Sequence, residues 1–252
     1  MSPRRKQEKK RLDSLLVERG LVESRHRAQA LILAGQVLVD GQVIVKAGKE
    51  VPVTAELYVR ESLRYVSRGG HKLEAALDRF GIDPTGLTIL DAGASTGGFT
   101  DCLLQRGAAH VIAADVGYGQ LDWKVRIDPR VTVMERTNIR LMSRESLPCP
   151  IHGIVADLAF ISLRLVLPLF AEILPVGGWV VALVKPQFEV GRQDVGKGVV
   201  KDPGKITAAV ESVKTAALHC GFAVLGELLS PLRGPKGNQE VFLFLRREET
   251  AP

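Results

Sequence analysis

The sequence of 252 residues is poor in cysteine and histidine and has no long apolar run. Its cysteines, Cys102, Cys149 and Cys220, are odd in number and form no CxxC pair, which indicates reduced thiols in a cytoplasmic protein. The five histidines form no HxxxH or HExxH pair, so we expect no metal. The longest apolar runs, such as GGWVVALV, are far shorter than the roughly 20 residues of a spanning helix. The basic start, MSPRRKQEKKRLDS, continues into no apolar stretch, so we also expect no secretory signal and no membrane association.

The positive charge of the chain is concentrated in its first third. The whole sequence has 34 Lys and Arg against 28 Asp and Glu, a net charge of +6. Residues 1–72 hold 15 basic and 8 acidic side chains, whereas the remaining 180 residues hold 19 and 20. This asymmetry indicates a module that binds a polyanion, joined to a neutral body.

Residues 11–59 predict a small α+β domain. A helix from Leu12 ends near Gly20, because glycine readily adopts the positive φ that terminates a helix. Ser24 is a favourable cap for a second helix, which ends near Gly35. The string QVLVDGQVIV then predicts a hairpin around Asp40-Gly41.

This segment resembles the S-four RNA-binding domain, through the string SRHRAQALILAGQVLVDGQVIVKAGKEV. The resemblance implies RNA binding, with Arg25 and Arg27 as candidate phosphate contacts. A solvated helix face is the alternative for any isolated arginine pair, but the net charge of +7 over residues 1–72 favours binding. The basic tail of residues 1–10 can extend these contacts.

Residues 60–71 predict a flexible linker, because they are polar and basic and contain Gly69-Gly70. Arg64, Tyr65 and Arg68 are candidate RNA-binding residues in this segment. Tyr65 could stack on a base or pack one domain against the other, and a structural linker is the default interpretation.

Residues 72–246 predict a second, α/β domain, followed by a short tail of residues 247–252. Seven apolar runs alternate with helical patterns, which favours a doubly wound, mostly parallel, Rossmann-like sheet. The runs are Thr88–Leu90, Val111–Ala114, Val131–Met134, Ile154–Ala156, Trp179–Val184, Ala223–Gly226 and Val241–Leu245. Ligands of such sheets bind at the carboxyl ends of the strands.

A glycine-rich turn follows the first of these strands in the string LDAGASTGGFT. It lacks the Gly-x-Gly pair with which dinucleotide-binding turns begin, and Asp115 ends the next strand, where a carboxylate can hold ribose hydroxyls. This combination favours S-adenosylmethionine (SAM) over NAD. The candidate cofactor-binding residues are Asp91, Gly93, Ala94, Ser95, Thr96, Gly97, Gly98, Phe99 and Asp115.

The strings DAGASTGGFT and DVGYGQLDW resemble the FtsJ-like ribose methyltransferases. Together with the S-four segment and YVSRGGHKL, they make nearly all of residues 11–246 similar to the TlyA family, whose members are named both as haemolysins and as rRNA cytidine-2′-O-methyltransferases. The resemblance implies a seven-stranded SAM-dependent methyltransferase domain that acts on ribosomal RNA in a ribosomal subunit. It also implies a catalytic tetrad, at Lys72, Asp157, Lys185 and Glu240.

The residues themselves agree with those positions. Asp157 and Lys185 end the fourth and fifth strands, Glu240 opens the last strand, and Lys72 opens the first helix of the domain. A lysine that ends an apolar run is unusual, because a buried amine needs partners. We expect Lys185 to contact the ribose 2′-oxygen, either as general base or by stabilising the developing alkoxide.

Two further segments are open to two interpretations each. The loop PQFEVGRQDVGKGVVKDP could close over RNA or be a mobile surface connection, and ERTNIR could line the adenine pocket or form a polar turn. Alternative functions are a membrane-active haemolysin, a non-catalytic ribosome-binding factor and a pseudouridine synthase. The absence of a membrane-spanning segment disfavours the haemolysin. The tetrad disfavours the non-catalytic factor, and the glycine-rich turn disfavours the pseudouridine synthase.

Overall fold

The computed structural model describes residues 8–22, 24–33, 35–59 and 64–249. Three parts of the predicted organisation lie outside the described residues. They are residues 1–7 of the basic tail, residues 60–63 at the start of the linker, and residues 250–252 of the C-terminal tail. The chain divides into two compact units, Met1–Arg64 and Tyr65–Pro252.

The described residues of the first unit form two helices and two small sheets. Strand β1 pairs with β4, and a second sheet has the order β3-β2-β5. The elements are β1 (Lys9–Arg11), α1 (Leu12–Glu18), α2 (Arg25–Leu33), β2 (Val37–Val39), β3 (Gln42–Val43), β4 (Glu50–Pro52) and β5 (Leu57–Val59).

Local sequence features explain this arrangement. The Ser24 hydroxyl accepts a hydrogen bond from the Arg27 amide at 3.2 Å, which caps α2 as predicted. Asp40 and Gly41 have φ of 50° and 78°, as the two central residues of a tight hairpin turn require. Leucine and isoleucine side chains of both helices form the core of the unit with valines of the strands. The predicted helix–helix–hairpin order is confirmed.

The second unit alternates strands and helices. Its elements are α3 (Arg68–Phe80), β6 (Thr88–Ala92), α4 (Gly98–Gln105), β7 (His110–Ala114), α5 (Trp123–Arg126), β8 (Val131–Met134), β9 (Gly153–Ala156), α6 (Leu167–Ile173), β10 (Trp179–Val184), α7 (Pro186–Glu189), α8 (Pro203–His219), β11 (Phe222–Leu229) and β12 (Val241–Arg247). Single 3-10 turns cover Ile139–Leu141, Arg144–Ser146, Leu163–Leu165 and Arg192–Asp194.

Seven strands form one sheet in the order β11-β12-β10-β9-β6-β7-β8. Strand β12 runs antiparallel to both of its neighbours, β10 and β11, whereas β6 to β10 pair in parallel. The chain passes from β6 to β7 and β8 on one side and then returns to β9 on the other. The strand order therefore reverses beside β6, and ligands of such sheets bind at that point.

Alternate residues of the central strands belong to two separate hydrophobic clusters. Leu90 of β6 and Val180 of β10 pack in the cluster that contains α6 and α8, whereas Ile89 and Val181 pack in the cluster that contains α3 and α4. This period of two places helices on both faces of the sheet. The predicted doubly wound α/β fold is confirmed. No helix among the described residues is long and apolar enough to cross a bilayer.

The structure corrects the interpretation of the segment predicted as a linker. Tyr65 is fully buried in the second unit, and a Cβ on Gly70 would lie 2.2 Å from its ring, so Tyr65 is not available to stack on a base. Ser67 accepts a hydrogen bond from Gly69 at 3.3 Å and caps α3, which begins at Arg68. Residues 65–71 therefore belong to the second unit, and Lys72 lies inside α3 rather than at its start.

Candidate active site

The glycine-rich turn between β6 and α4 lies at the reversal point of the sheet. Gly93 has φ of 89°, and a Cβ there would lie 2.8 Å from the carbonyl oxygen of Asp157 at the end of β9. Gly97 has φ of 91° and precedes the first residue of α4. Only glycine fits both the positive φ and this close backbone approach, so the turn can lie directly against the neighbouring strand end.

Asp115, after β7, is fixed by the same turn. Its Oδ2 accepts a hydrogen bond from the Ser95 amide at 2.9 Å, and its Oδ1 accepts one from the Gly117 amide at 2.6 Å. Each carboxylate oxygen has a second lone pair for a further donor. The carboxylate is therefore held in one orientation while it can still accept hydrogen bonds from hydroxyl groups.

These residues line a cavity of about 990 Å³. Of the nine predicted cofactor-binding residues, seven line it: Gly93, Ala94, Ser95, Thr96, Gly98, Phe99 and Asp115. The predicted ERTNIR segment also contributes four residues to its wall, 137–140. The predicted cofactor-binding residues thus surround one space.

Asp91 and Gly97 do not line the cavity, and the structure gives each a different role from the predicted cofactor contact. Asp91 is fully buried and accepts a hydrogen bond from the Thr100 hydroxyl at 2.6 Å, which joins β6 to α4. Burial raises the pKa of Asp91 to about 7; the Thr100 hydrogen bond opposes this shift and the nearby Asp157 charge adds to it. Gly97 shapes the turn through its backbone.

The four residues of the predicted tetrad line the same cavity as two ion pairs. Lys72 Nζ lies 2.5 Å from Glu240 Oε2, and Lys185 Nζ lies 2.6 Å from Asp157 Oδ1. The side chain of Glu240 is only 1% exposed, whereas that of Asp157 is 23% exposed. The structure therefore presents two amines and two carboxylates next to the glycine-rich turn, and their catalytic role stays a prediction.

An aromatic pair that lines the cavity was not predicted from the sequence. Phe160 is 91% exposed and has φ of 63°, which is rare for a bulky residue. Its ring centroid lies 5.3 Å from that of Phe188, and both residues line the cavity. The available signal was the string DLAF, in which three apolar residues follow Asp157 after the end of the strand.

One candidate RNA-binding arginine of the first unit, Arg25, lies near a buried carboxylate. Asp13 accepts hydrogen bonds from Arg11 at 2.8 Å and from Gln29 at 2.9 Å, and Arg25 lies 3.3 Å away. The Arg11 hydrogen bond chiefly holds the pKa of Asp13 well below its usual range. Arg25 remains half exposed and Arg27 is exposed, so both guanidinium groups can still contact an anion.

The other candidate RNA contacts lie in or near the second unit. Arg68 is exposed and lines the cavity, and Arg64 is exposed at the end of the first unit.

In the part of the chain that the structure describes, no group of three or more histidine, cysteine, aspartate or glutamate residues is arranged to hold a metal ion.

Comparison with known proteins identifies the family. The FtsJ-like methyltransferase model matches residues 65–247, and the S4 domain model matches residues 10–57. The 16S/23S rRNA (cytidine-2′-O)-methyltransferase TlyA of Mycobacterium tuberculosis is 51% identical over 241 residues, which cover 94% of this chain and 90% of that protein. The chain belongs to the TlyA family.

Other proteins similar to this TlyA-family chain carry the haemolysin name. Hemolysin A of Brachyspira hyodysenteriae is 41% identical, over 91% of this chain and 97% of that protein. The solved structure of a hemolysin-named protein from Streptococcus thermophilus superimposes with a TM-score of 0.74 at 42% identity, over 97% of this chain and 90% of that one.

Membership of the TlyA family confirms the resemblance seen in the sequence. The second unit is a methyltransferase domain, so the alternative of a pseudouridine synthase is wrong. The match begins at residue 65, where the second unit also begins, and it therefore includes the segment predicted as a linker.

Proposed function

We propose that this protein transfers the methyl group of SAM to the ribose 2′-hydroxyl of a cytidine in ribosomal RNA. The observation that carries the proposal is that the glycine-rich turn, Asp115 and the two lysine–carboxylate pairs line the same cavity. The 51% identity to an rRNA cytidine-2′-O-methyltransferase supports the choice of substrate.

The residues of the cavity fit SAM. The close approach of Gly93 to β9 and the exposed backbone of the turn leave room for a cofactor against main-chain atoms. Asp115 offers its free lone pairs to ribose hydroxyls. When bound, SAM supplies an electrophilic methyl group on a positively charged sulfur.

The cavity also has room for an acceptor nucleotide. Its volume, about 990 Å³, is at the upper end of the range for small-molecule sites. Bases that leave a helix are commonly bound by stacking on aromatic side chains. The exposed ring of Phe160 at the rim is therefore suited to support the base of the acceptor nucleotide.

Lys185 is the residue that we assign to the reacting oxygen. Its ion pair with Asp157 holds the amine at the cavity wall, where it can stabilise negative charge on the 2′-oxygen while the hydroxyl proton passes to solvent water. If Lys185 is instead neutral in the complex with RNA, the same nitrogen can accept that proton. Lys72 and Glu240 form the second pair and line the same cavity.

The test is methyl transfer from labelled SAM to separated ribosomal subunits that lack the modification. Lys185→Ala is compared with Lys214→Ala, a matched control that removes a lysine paired with Glu211 and Glu227 outside the cavity. We expect incorporation at a cytidine ribose with wild type and with the control, and a loss of at least about 100-fold with Lys185→Ala.

Other outcomes would contradict the proposal. Tight SAM binding by wild type without incorporation into either subunit would favour a non-catalytic ribosome-binding factor or another RNA substrate. Equal activity of Lys185→Ala and wild type would remove Lys185 from the reaction. Absence of SAM binding would overturn the methyltransferase mechanism itself.

A further inference from the structure

A buried glutamate outside the tetrad joins the two segments that carry Asp157 and Lys185. Glu189 is the last residue of α7, which follows Lys185 directly, and its side chain is only 1% exposed. Neither the tetrad nor the cofactor site uses this carboxylate. A buried carboxylate needs hydrogen-bond partners, so its partners indicate what it does.

The described partners of the Glu189 carboxylate are residues 162–164, at the end of the segment that begins with Asp157. Its Oε1 accepts a hydrogen bond from the Leu163 amide at 2.8 Å, and its Oε2 accepts one from the Ser162 hydroxyl. Arg164 Nε lies 3.4 Å from Oε2, and Arg164 Nη2 donates to the Glu189 carbonyl at 3.1 Å. The carboxylate therefore ties the start of the 3-10 turn to α7.

The segment held in this way is the Asp157 loop, residues 157–162. Of its described amides, only that of Asp157 donates to a backbone carbonyl, at the exit from β9. Phe160 within the loop has the rare φ of 63°. A bulky residue keeps such a conformation only where surrounding contacts hold it. The loop is thus fixed at one end by β9 and at the other by Glu189.

We infer that Glu189 is a positioning residue that holds the Asp157 loop in register with Lys185. The inference rests on the proposed function and deepens it. Glu189 does not line the cavity; it fixes where Asp157 and Phe160 stand relative to the lysine. Phe188, its neighbour in α7, adds a second contact through its ring packing on Phe160. Misplacement of reacting groups by about 1 Å can lower a rate about 100-fold.

The test compares Glu189→Ala and Glu189→Gln with Glu172→Ala, in which an exposed glutamate of α6 is removed as a matched control. Glutamine retains an oxygen that can accept the hydrogen bond from the Leu163 amide. On the ribosomal subunit that wild type methylates, we expect Glu189→Ala to lower kcat about 10- to 100-fold. We expect Glu189→Gln to recover most of that loss, while the SAM Kd of both variants stays within about twofold of wild type.

Hydrogen exchange gives a second measurement that separates positioning from unfolding. In Glu189→Ala the amides of Leu163 and Asp157, which both donate hydrogen bonds in the wild type, should exchange faster, while the amides of the central strands keep their protection. The inference is overturned if Glu189→Ala retains the wild-type kcat. It is also overturned if Glu189→Gln is as impaired as alanine, or if kcat falls only together with SAM affinity and core protection. Inactive wild type would instead reject the proposed function.

Discussion

At the scale of single residues, the two lysine–carboxylate pairs of the cavity need an explanation beyond stability. The free energy lost when two charges leave water offsets most of the attraction between them, so a buried ion pair adds little net stability. Lys72 and Glu240 are nevertheless buried together, and Lys185 and Asp157 are only partly exposed. Their place at the wall of the cavity suits charges that act on a reacting oxygen, as the proposed function requires.

Asp91 allows a prediction about pH. Its carboxyl has a pKa of about 7 in the folded protein, above the value of about 4 in an unfolded chain. The folded state therefore binds more protons than the unfolded state between these values. The free energy of unfolding of wild type should carry a contribution that falls as pH rises through this window, by up to roughly 1.4 kcal/mol per pH unit.

Asp91→Asn removes this titration and keeps an oxygen that accepts the Thr100 hydrogen bond. We expect the stability of the variant relative to wild type to increase as pH is raised from about 5 to about 8. Urea unfolding of both proteins without SAM measures the difference at each pH. A difference that stays constant across this range would contradict the assigned protonation.

At the scale of elements, the contact between the glycine-rich turn and the end of β9 predicts a loss of cofactor binding on substitution. Gly93→Ala introduces a Cβ at 2.8 Å from the Asp157 carbonyl, in addition to an unfavourable positive φ. Gly86→Ala is the matched control, because Gly86 also has a positive φ, 74°, but has no atom within 4 Å of the added Cβ.

Both glycine variants should lose about 1–3 kcal/mol of stability from backbone strain. Only Gly93→Ala should also weaken SAM binding, by at least about tenfold, because the turn must move away from the strand end. Calorimetric titration with SAM measures this difference. If both variants bind SAM equally well, the close approach of the turn to β9 is not needed for the cofactor.

The positions of strands and turns could be predicted from the sequence more accurately than the orientations of side chains. Strand and turn positions follow from local patterns, so the seven strands and the glycine-rich turn were found. The orientations of Asp91 and Tyr65 depend on which neighbour each side chain packs against, and the pattern around each residue does not contain that information. Phe160 and Glu189 were missed for the same reason, since their roles come from contacts between the Asp157 loop and α7, which are distant in sequence.

At the scale of the whole molecule, the charge distribution separates RNA affinity from chemistry. The excess positive charge lies in residues 1–72, which include the whole S4 match, whereas the rest of the chain has 19 basic and 20 acidic residues. Phosphate contacts release counterions and give an affinity that depends on salt. We therefore expect the arginines of α2 to determine the salt dependence of RNA binding, and the cavity residues to determine the rate of methylation.

Arg27→Ala in the full chain tests this division. Loss of one phosphate contact should weaken binding to the ribosomal subunit that wild type methylates and reduce the slope of log Kd against log salt by about 0.9. The value of kcat at saturating subunit should stay unchanged, because Arg27 belongs to the first unit, whereas the residues that line the cavity belong to the second. Arg79→Ala, which removes an exposed arginine of α3, is the control and should leave the slope as it is. If Arg27→Ala lowers kcat but keeps the wild-type slope, Arg27 contributes to the reaction and not to electrostatic binding, and the proposed separation between the two units is wrong.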